Sequence, residues 1–235
     1  MYNPFKPAEP VARKLKVLLY GPAGSGKTTA ALTFPRAAII DTEGGSDLYA
    51  GREGFAPFDI LRAKTLSELE SAIAFIKTGD HAYETLIIDS VTVLYEVARE
   101  ALAAKKGGDM SYREWGKLNT RMEALYNTLT DLPVHVVMIA REATEYEGTG
   151  DSLKKVGSKP DADKSLVYNM DIVVRMQRDR KGRVEKSRGA EIIAENSTID
   201  RVTWSTFAPL ADTFSTGATV SHATKSEAID AEVDS

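Results

Sequence analysis

The chain has 235 residues, 43% of them hydrophobic and 27% charged, with a net charge of −4. That suffices for one sizeable core, a domain of ~200 residues plus a tail. The acidic balance excludes a globally basic nucleic-acid binder, leaving only local patches, and the absence of cysteine excludes disulfides and thiolate metal sites and is compatible with a reducing cytosol.

Residues 1–10 (MYNPFKPAEP) carry prolines at 4, 7 and 10, which oppose a helix, and they lack an apolar signal core. They read as an extended arm without a secretion signal. No apolar run approaches the ~18 residues of a membrane span, so no membrane partner is expected.

Residues 16–20 (KVLLY) read as a short buried strand, and 29–34 as the start of a helix. Between them stands Gly21-Pro22-Ala23-Gly24-Ser25-Gly26-Lys27-Thr28, a G-x-x-x-x-G-K-T phosphate-binding loop in the right context. Its glycines let successive N–H groups face one point, and the helix that follows, opening at Thr29, offers its positive end to an anion. Lys27 can reach the β- and γ-phosphates, and the Thr28 hydroxyl can ligate Mg²⁺. ATP and Mg²⁺ are the expected cofactors.

Residues 37–41 (AAIID) form a second apolar strand that ends in the polar cluster Asp41-Thr42-Glu43-Gly44-Gly45. Residues 58–61 are a third expected strand. Thr65-Leu-Ser-Glu68 is a capping box for a helix with Leu66, Leu69, Ile73 and Ile76 on one side, ended by Gly79. Residues 85–90 (TLIIDS) are an apolar strand ending in Asp89, which holds the metal in P-loop enzymes; its bland alternative is a helix N-cap, a role Ser90 can also take. A helix follows over 91–104, then the loop 105–109 (KKGGD). Ser111-Tyr-Arg-Glu114 caps a helix whose buried stripe reads Trp115, Leu118, Met122, Leu125 and Leu129.

Residues 134–140 (VHVVMIA) are a central strand. Residues 141–164 read as one long polar loop, of the kind that is functional or mobile. Residues 171–177 and 191–195 read as strands joined by a basic turn around Lys181-Gly182. After Leu210 periodicity is lost, and 211–235 read as a disordered acidic tail. The domain itself is assigned to 11–210. Alternating strands and helices predict a mostly parallel sheet covered on both faces, with ligands at the carboxyl ends of the strands. The phosphate loop, Glu43, Asp89 and Arg141 all fall at such ends. Hydrolysis needs a carboxylate to activate water; the position after Asp89 is Ser90, so Glu43 is the candidate base, ahead of Asp41.

Together, IIDTEGG after the phosphate loop and LIIDS for the metal strand resemble the RecA-type ATPase core over about residues 11–195. The short layout is similar to phage-encoded RecA-like ATPases, which include single-strand annealing recombinases. The resemblance implies an α/β RecA-like P-loop core, with Glu43 at the position of the family's catalytic glutamate. It places Arg141 where that family usually has Gln or His as γ-phosphate sensor. Arg141 is a departure, and two readings stand: a sensor, or an ion pair with Glu142 or Glu145.

The resemblance also implies a single-stranded DNA surface on the loops that follow. Lys105, Lys106, Tyr112, Arg113 and Lys117 cluster around the first, and Lys154, Lys155 and Lys159 lie in the second. Neighbouring acids leave a solvated charged loop as the bland alternative. The K-x-R-G spacing of Lys186 and Arg188 is similar to the segment by which RecA-like rings reach a neighbour's γ-phosphate. The expectation is therefore a Mg²⁺-dependent ATPase binding single-stranded DNA in phage-type recombination or annealing. It would self-assemble as a ring or filament in the cytoplasm of an infected bacterial host, with a single-strand-binding protein as a further partner. The rivals are a helicase-like or packaging motor and a non-catalytic ATP-switched clamp or loader.

Overall fold

The computed structural model of the protein describes residues 5–7, 9, 11–106, 111–148 and 152–217; the side chains of Lys105 and Lys106 lie outside that description. Most of the expected arm, the loop residues 107–109 and tail residues 218–235 also lie outside it.

The apolar runs form the sheet. β1 (Lys16–Tyr20), β2 (Ala37–Asp41), β4 (Thr85–Asp89), β5 (His135–Ala140) and β8 (Ile172–Met176) are nearly continuous in buried residues. That is the pattern of strands covered on both faces. β3 (Asp59–Arg62), β9 (Gly182–Ser187) and β10 (Thr198–Ile199) flank them. The order across the sheet is β3-β2-β4-β5-β1-β8-β9-β10. β3 through β8 run parallel, and β9 and β10 are each antiparallel to the strand before.

Two cores lie on the two faces. On one, α2 (Leu66–Thr78), α3 (Val91–Lys106), α4 (Tyr112–Thr130) and the short α5 (Ser165–Asn169) cover Leu18, Ile40, Ile88, Val136 and Met138. On the other, α1 (Lys27–Ala31) and α6 (Trp204–Thr216) cover Val17, Leu19, Ile39, Ile87 and Val137. Successive strand residues point to opposite faces, so Ile87 and Ile88 serve different cores. The capping box of Thr65 and Glu68 is made, and Gly79 ends α2 in the left-handed conformation.

Four expectations need correction. Residues 141–164 are not one loop: β6 (Glu142–Glu147) and β7 (Lys154–Pro160) pair as an antiparallel ribbon, and α5 follows. Both faces of the ribbon are largely solvated, so no apolar alternation marks it in the sequence. Residues 191–195 are turns, not a strand; Ile193 is buried there without pairing, and the partner of β8 is β9. Among the residues of β9 only Val184 is a buried aliphatic side chain, too weak a signal to outweigh its charges. Helix α6 crosses the assigned boundary at Leu210 and runs to Thr216, burying Phe207, Leu210 and Ala211 and holding the Arg13 guanidinium 4.1 Å from the Phe214 ring centroid. Lastly, the buried stripe of α4 begins at Leu118; Trp115, a turn earlier, is 36% exposed.

Candidate nucleotide site

The phosphate loop leaves the carboxyl end of β1 against Met176 at the end of β8. A side chain at Gly21 (φ +149°) would place its Cβ 2.2 Å from the Met176 carbonyl oxygen, so only glycine fits the first loop position. Gly26 (φ +86°) then turns the chain into α1. Lys27 folds back over the loop, donating to the carbonyls of Gly21 at 2.9 Å and Pro22 at 3.0 Å. Burial lowers its pKa, while Asp89 and Glu43 pull it back up. These residues border a cleft of about 420 Å³ that also takes in Thr28, Thr29, Glu43, Asp89, Ser90 and Arg141.

Thr28 Oγ1 donates to Asp89 Oδ2 at 2.6 Å. Asp89 is 9% exposed, and burial pushes its pKa up to about 6, against the Thr28 hydrogen bond and the Lys27 charge. A hydroxyl and a carboxylate in contact beside a phosphate cradle suit Mg²⁺, which keeps several waters and takes substrate oxygens. Among the described residues no three His, Cys, Asp or Glu gather around one point. An ion here would therefore rely on Thr28, Asp89 and the nucleotide.

The two carboxylates after β2 part company. Asp41 is 3% exposed and accepts the backbone N–H groups of Glu43, Gly44, Gly45 and Ser46, at 2.6–3.0 Å, and the Ser46 hydroxyl. Burial opposes its charge, but the hydrogen bonds from Ser46, Gly44 and Gly45 outweigh it and hold the group below the usual carboxylate range. Asp41 shapes the turn. Glu43 is the carboxylate presented to the cleft, where it accepts from Ser90 Oγ at 2.7 Å and Arg141 Nε at 3.0 Å. Arg141 thus lies in the cleft and in an ion pair. Its partners are Glu43 and, at 3.9 Å, Glu96, whereas Glu142 is taken by Arg175.

The family model of the AAA domain matches residues 13–213. The chain belongs to the AAA domain family. No curated protein matches it. Among solved structures it is similar to the one titled "Crystal structure of the RadB recombinase", at 20% identity over 80% of this chain and 86% of that one, with a TM-score of 0.49. The mostly parallel sheet with its phosphate loop, expected from the motifs, is present in this AAA domain. The loop follows the central β1, Asp89 ends β4, and the IIDTEGG turn ends the adjacent β2.

The remaining expected residues are spread over the AAA domain. Lys154, Lys155 and Lys159 are exposed on β7, and Arg113 and Lys117 on α4. Lys105 and Lys106 close α3, and their side chains are outside the description. Lys186 and Arg188 sit at the far end of the sheet: Met176 pairs with Gly182 near the phosphate loop, and Ile172 with Ser187 at the opposite edge. There Lys186 donates to the carbonyls of Val167 and Tyr168, and Arg188 to Tyr168 O at 3.0 Å and Asp171 Oδ1 at 3.3 Å. Arg188 also borders a hollow of about 700 Å³ with Arg13, Lys14 and Lys16.

Sequence reasoning missed Ser90 as the partner of Glu43. It also missed Thr92, whose hydroxyl accepts the Arg141 N–H at 2.9 Å. Tyr146, 57% exposed and directly across the ribbon from Lys155, was missed too. Only Tyr146 left a signal, an aromatic in a charged stretch.

Proposed function

We propose that this AAA-domain protein is a Mg²⁺-dependent ATPase that binds single-stranded DNA and promotes phage-type recombination or strand annealing in the cytoplasm of an infected bacterial host. The observation that supports it is the convergence of Lys27, Thr28, Asp89, Glu43 and Arg141 on one cleft, with the ribbon β6–β7 starting at the residue after Arg141.

Lys27 turns from its own loop carbonyls to the β- and γ-phosphates. Thr28 and Asp89 would hold Mg²⁺, whose charge would offset that of the phosphates. Glu43 orients the attacking water. Arg141 exchanges Glu43 for the γ-phosphate, a planar donor set suited to either. That exchange both frees the base and shifts the root of the ribbon, gating DNA binding by nucleotide. On the ribbon, Lys154, Lys155 and Lys159 meet phosphates, with Arg113 on α4 as a further cation. Lys186 and Arg188, remote from their own phosphate loop, reach the γ-phosphate of a neighbouring copy. This makes the assembly head-to-tail, a ring or filament.

One observation favours a second reading, an ATP-switched clamp without turnover: Glu43 is engaged by both Ser90 and Arg141. The test is ATPase rate with and without single-stranded DNA, beside DNA affinity at several salt concentrations. DNA should accelerate hydrolysis, and replacing Arg113, Lys154 and Lys155 by Ala should weaken binding and flatten its salt slope by ~0.7 per lost phosphate contact. Unchanged affinity and slope would remove these residues from the interface; nucleotide-gated binding without turnover would select the clamp.

A further inference from the structure

The ribbon meets the body of the protein at a polar cluster centred on Arg175, whose partner Glu142 also borders the nucleotide cleft. Arg175 pairs in register with Tyr20, the last residue before the phosphate loop. Its Nε donates to Glu142 Oε1 at 2.8 Å and its Nη2 to Ser158 Oγ at 3.1 Å. Glu142 opens β6 and Ser158 lies in β7, so one guanidinium ties both ribbon strands to β8. A planar fork with five donors suits this double tie, and an ammonium does not. Burial works against the charge on Glu142, but the hydrogen bonds from Ser158 and Arg175 outweigh it and hold the carboxyl below its usual range. The Tyr20 hydroxyl donates to Glu185 Oε1 at 2.6 Å and lies 3.3 Å from Ser158 O, closing the cluster under the ribbon.

The adjacent residue, Arg141, borders the nucleotide cleft together with Glu142 and has anchors of its own. The Arg141 N–H donates to Thr92 Oγ1 at 2.9 Å, the Thr92 hydroxyl donates to Asp161 O at 2.6 Å, and the Asp161 N–H returns to Arg141 O at 2.9 Å. Thr92 is 2% exposed and two residues beyond Ser90, the other partner of Glu43. Neighbouring residues 141 and 142 are therefore held by different partners, one by Glu43 and one by Arg175.

We propose that Arg175 is a positioning residue that makes both strands of the ribbon move as one body with Arg141 when nucleotide enters the cleft. This rests on the reading of the cleft as a nucleotide site to which Arg141 responds. Drawing Arg141 off Glu43 leaves the Arg175 fork as the pivot. Both strands keep their tie to β8, so the ribbon turns instead of splaying. Without the fork the root yields locally, and the tip no longer senses the cleft. Linkage makes the coupling reciprocal: whatever binds the ribbon in its turned position raises nucleotide affinity by the same factor.

The chain lacks cysteine, so one cysteine at the exposed Leu153 carries an environment-sensitive dye at the ribbon tip without competition. The labelled protein is titrated with Mg²⁺ and a non-hydrolysable ATP analogue, and an independent calorimetric titration gives the nucleotide Kd. The dye signal should change in step with binding. Arg175→Gln should cut the amplitude about fivefold or more, the low end of allosteric coupling, with Kd within about twofold of the parent. Arg175→Lys should restore less than half the amplitude, since it keeps the charge and loses the fork. Glu142→Gln, which breaks the same tie from the ribbon side, should lower the amplitude as well and serves if Arg175→Gln does not fold. Full amplitude in both neutral variants overturns the proposal, as does a parent that binds nucleotide with a silent tip. The DNA reading is tested apart, by binding of a single-stranded oligonucleotide to the unlabelled protein. Its failure leaves the dye result standing.

Discussion

Glu43 and Asp41 stand two residues apart at the end of β2 and do different work. Asp41 spends its lone pairs on four backbone N–H groups and a hydroxyl, and its carboxylate holds the turn that presents Glu43. Glu43 carries two partners, the buried Ser90 and the half-exposed Arg141. An exposed pair of that kind contributes little to stability and is easily exchanged. Glu43→Gln should therefore keep nucleotide binding and cut hydrolysis by ~10²-fold or more, the range for a lost general base. Lys27→Ala should instead weaken binding itself. Asp41→Asn should lower unfolding free energy by about 1–3 kcal/mol through imperfectly met donors, read from denaturant titration beside the ATPase assay. If Asp41→Asn loses turnover at unchanged stability, the roles of the two carboxylates are reversed.

At the level of elements, β5 carries an acid-sensitive joint. His135, 4% exposed, accepts the Leu15 N–H on Nδ1 at 3.1 Å and packs on Trp204 of α6, so it ties β5, the entry to β1 and α6 together. Burial, with Lys14 and Lys16 nearby, lowers its pKa to about 4 from 6.5. The folded form stays neutral where the unfolded form takes a proton. Stability from this group is thus complete above pH 6.5 and is lost as pH falls from 6.5 toward 4, by about 3 kcal/mol at most. Asp89 acts in the opposite sense over an overlapping window, because its folded pKa is raised to about 6. The comparison must therefore be between proteins and not between pH values alone. His135→Gln keeps an acceptor for Leu15 and cannot titrate; its melting temperature should fall less than the parent's between pH 7 and pH 4.5. Parallel curves would show that acid lability arises elsewhere. β1, β2, β4, β5 and β8 were readable because their residues are largely apolar in short runs, whereas β6, β7, β9 and β10 lack such runs and so leave no side-chain pattern.

For the whole molecule, the phosphate loop and the Lys186–Arg188 segment occupy opposite ends of one sheet. A chain cannot close its own cleft with that segment, but a second copy stacked head-to-tail can. Mixing tests this. Lys27→Ala subunits keep the segment and lose the loop, and Arg188→Ala subunits do the reverse. Mixed assemblies should recover part of the ATPase activity that each lacks alone. Full activity of Arg188→Ala, or a dead mixture with co-assembly shown, would leave Arg188 as a structural partner of Asp171 and Tyr168. The phosphate loop, the placing of Asp89 at a strand end, the mostly parallel sheet and its two helical faces were all legible in the amino-acid sequence. Each is written in a short contiguous stretch whose residue types suffice for it. The fate of Arg141, the turn-holding role of Asp41, the tie from Arg175 to the ribbon and the remoteness of Arg188 were not legible. They rest on partners such as Ser90 and Glu43, 47 residues apart, or Arg141 and Glu43, 98 apart. The order β2-β4-β5 sets those strand ends side by side, and charged side chains at strand ends pair with whatever the sheet places next to them.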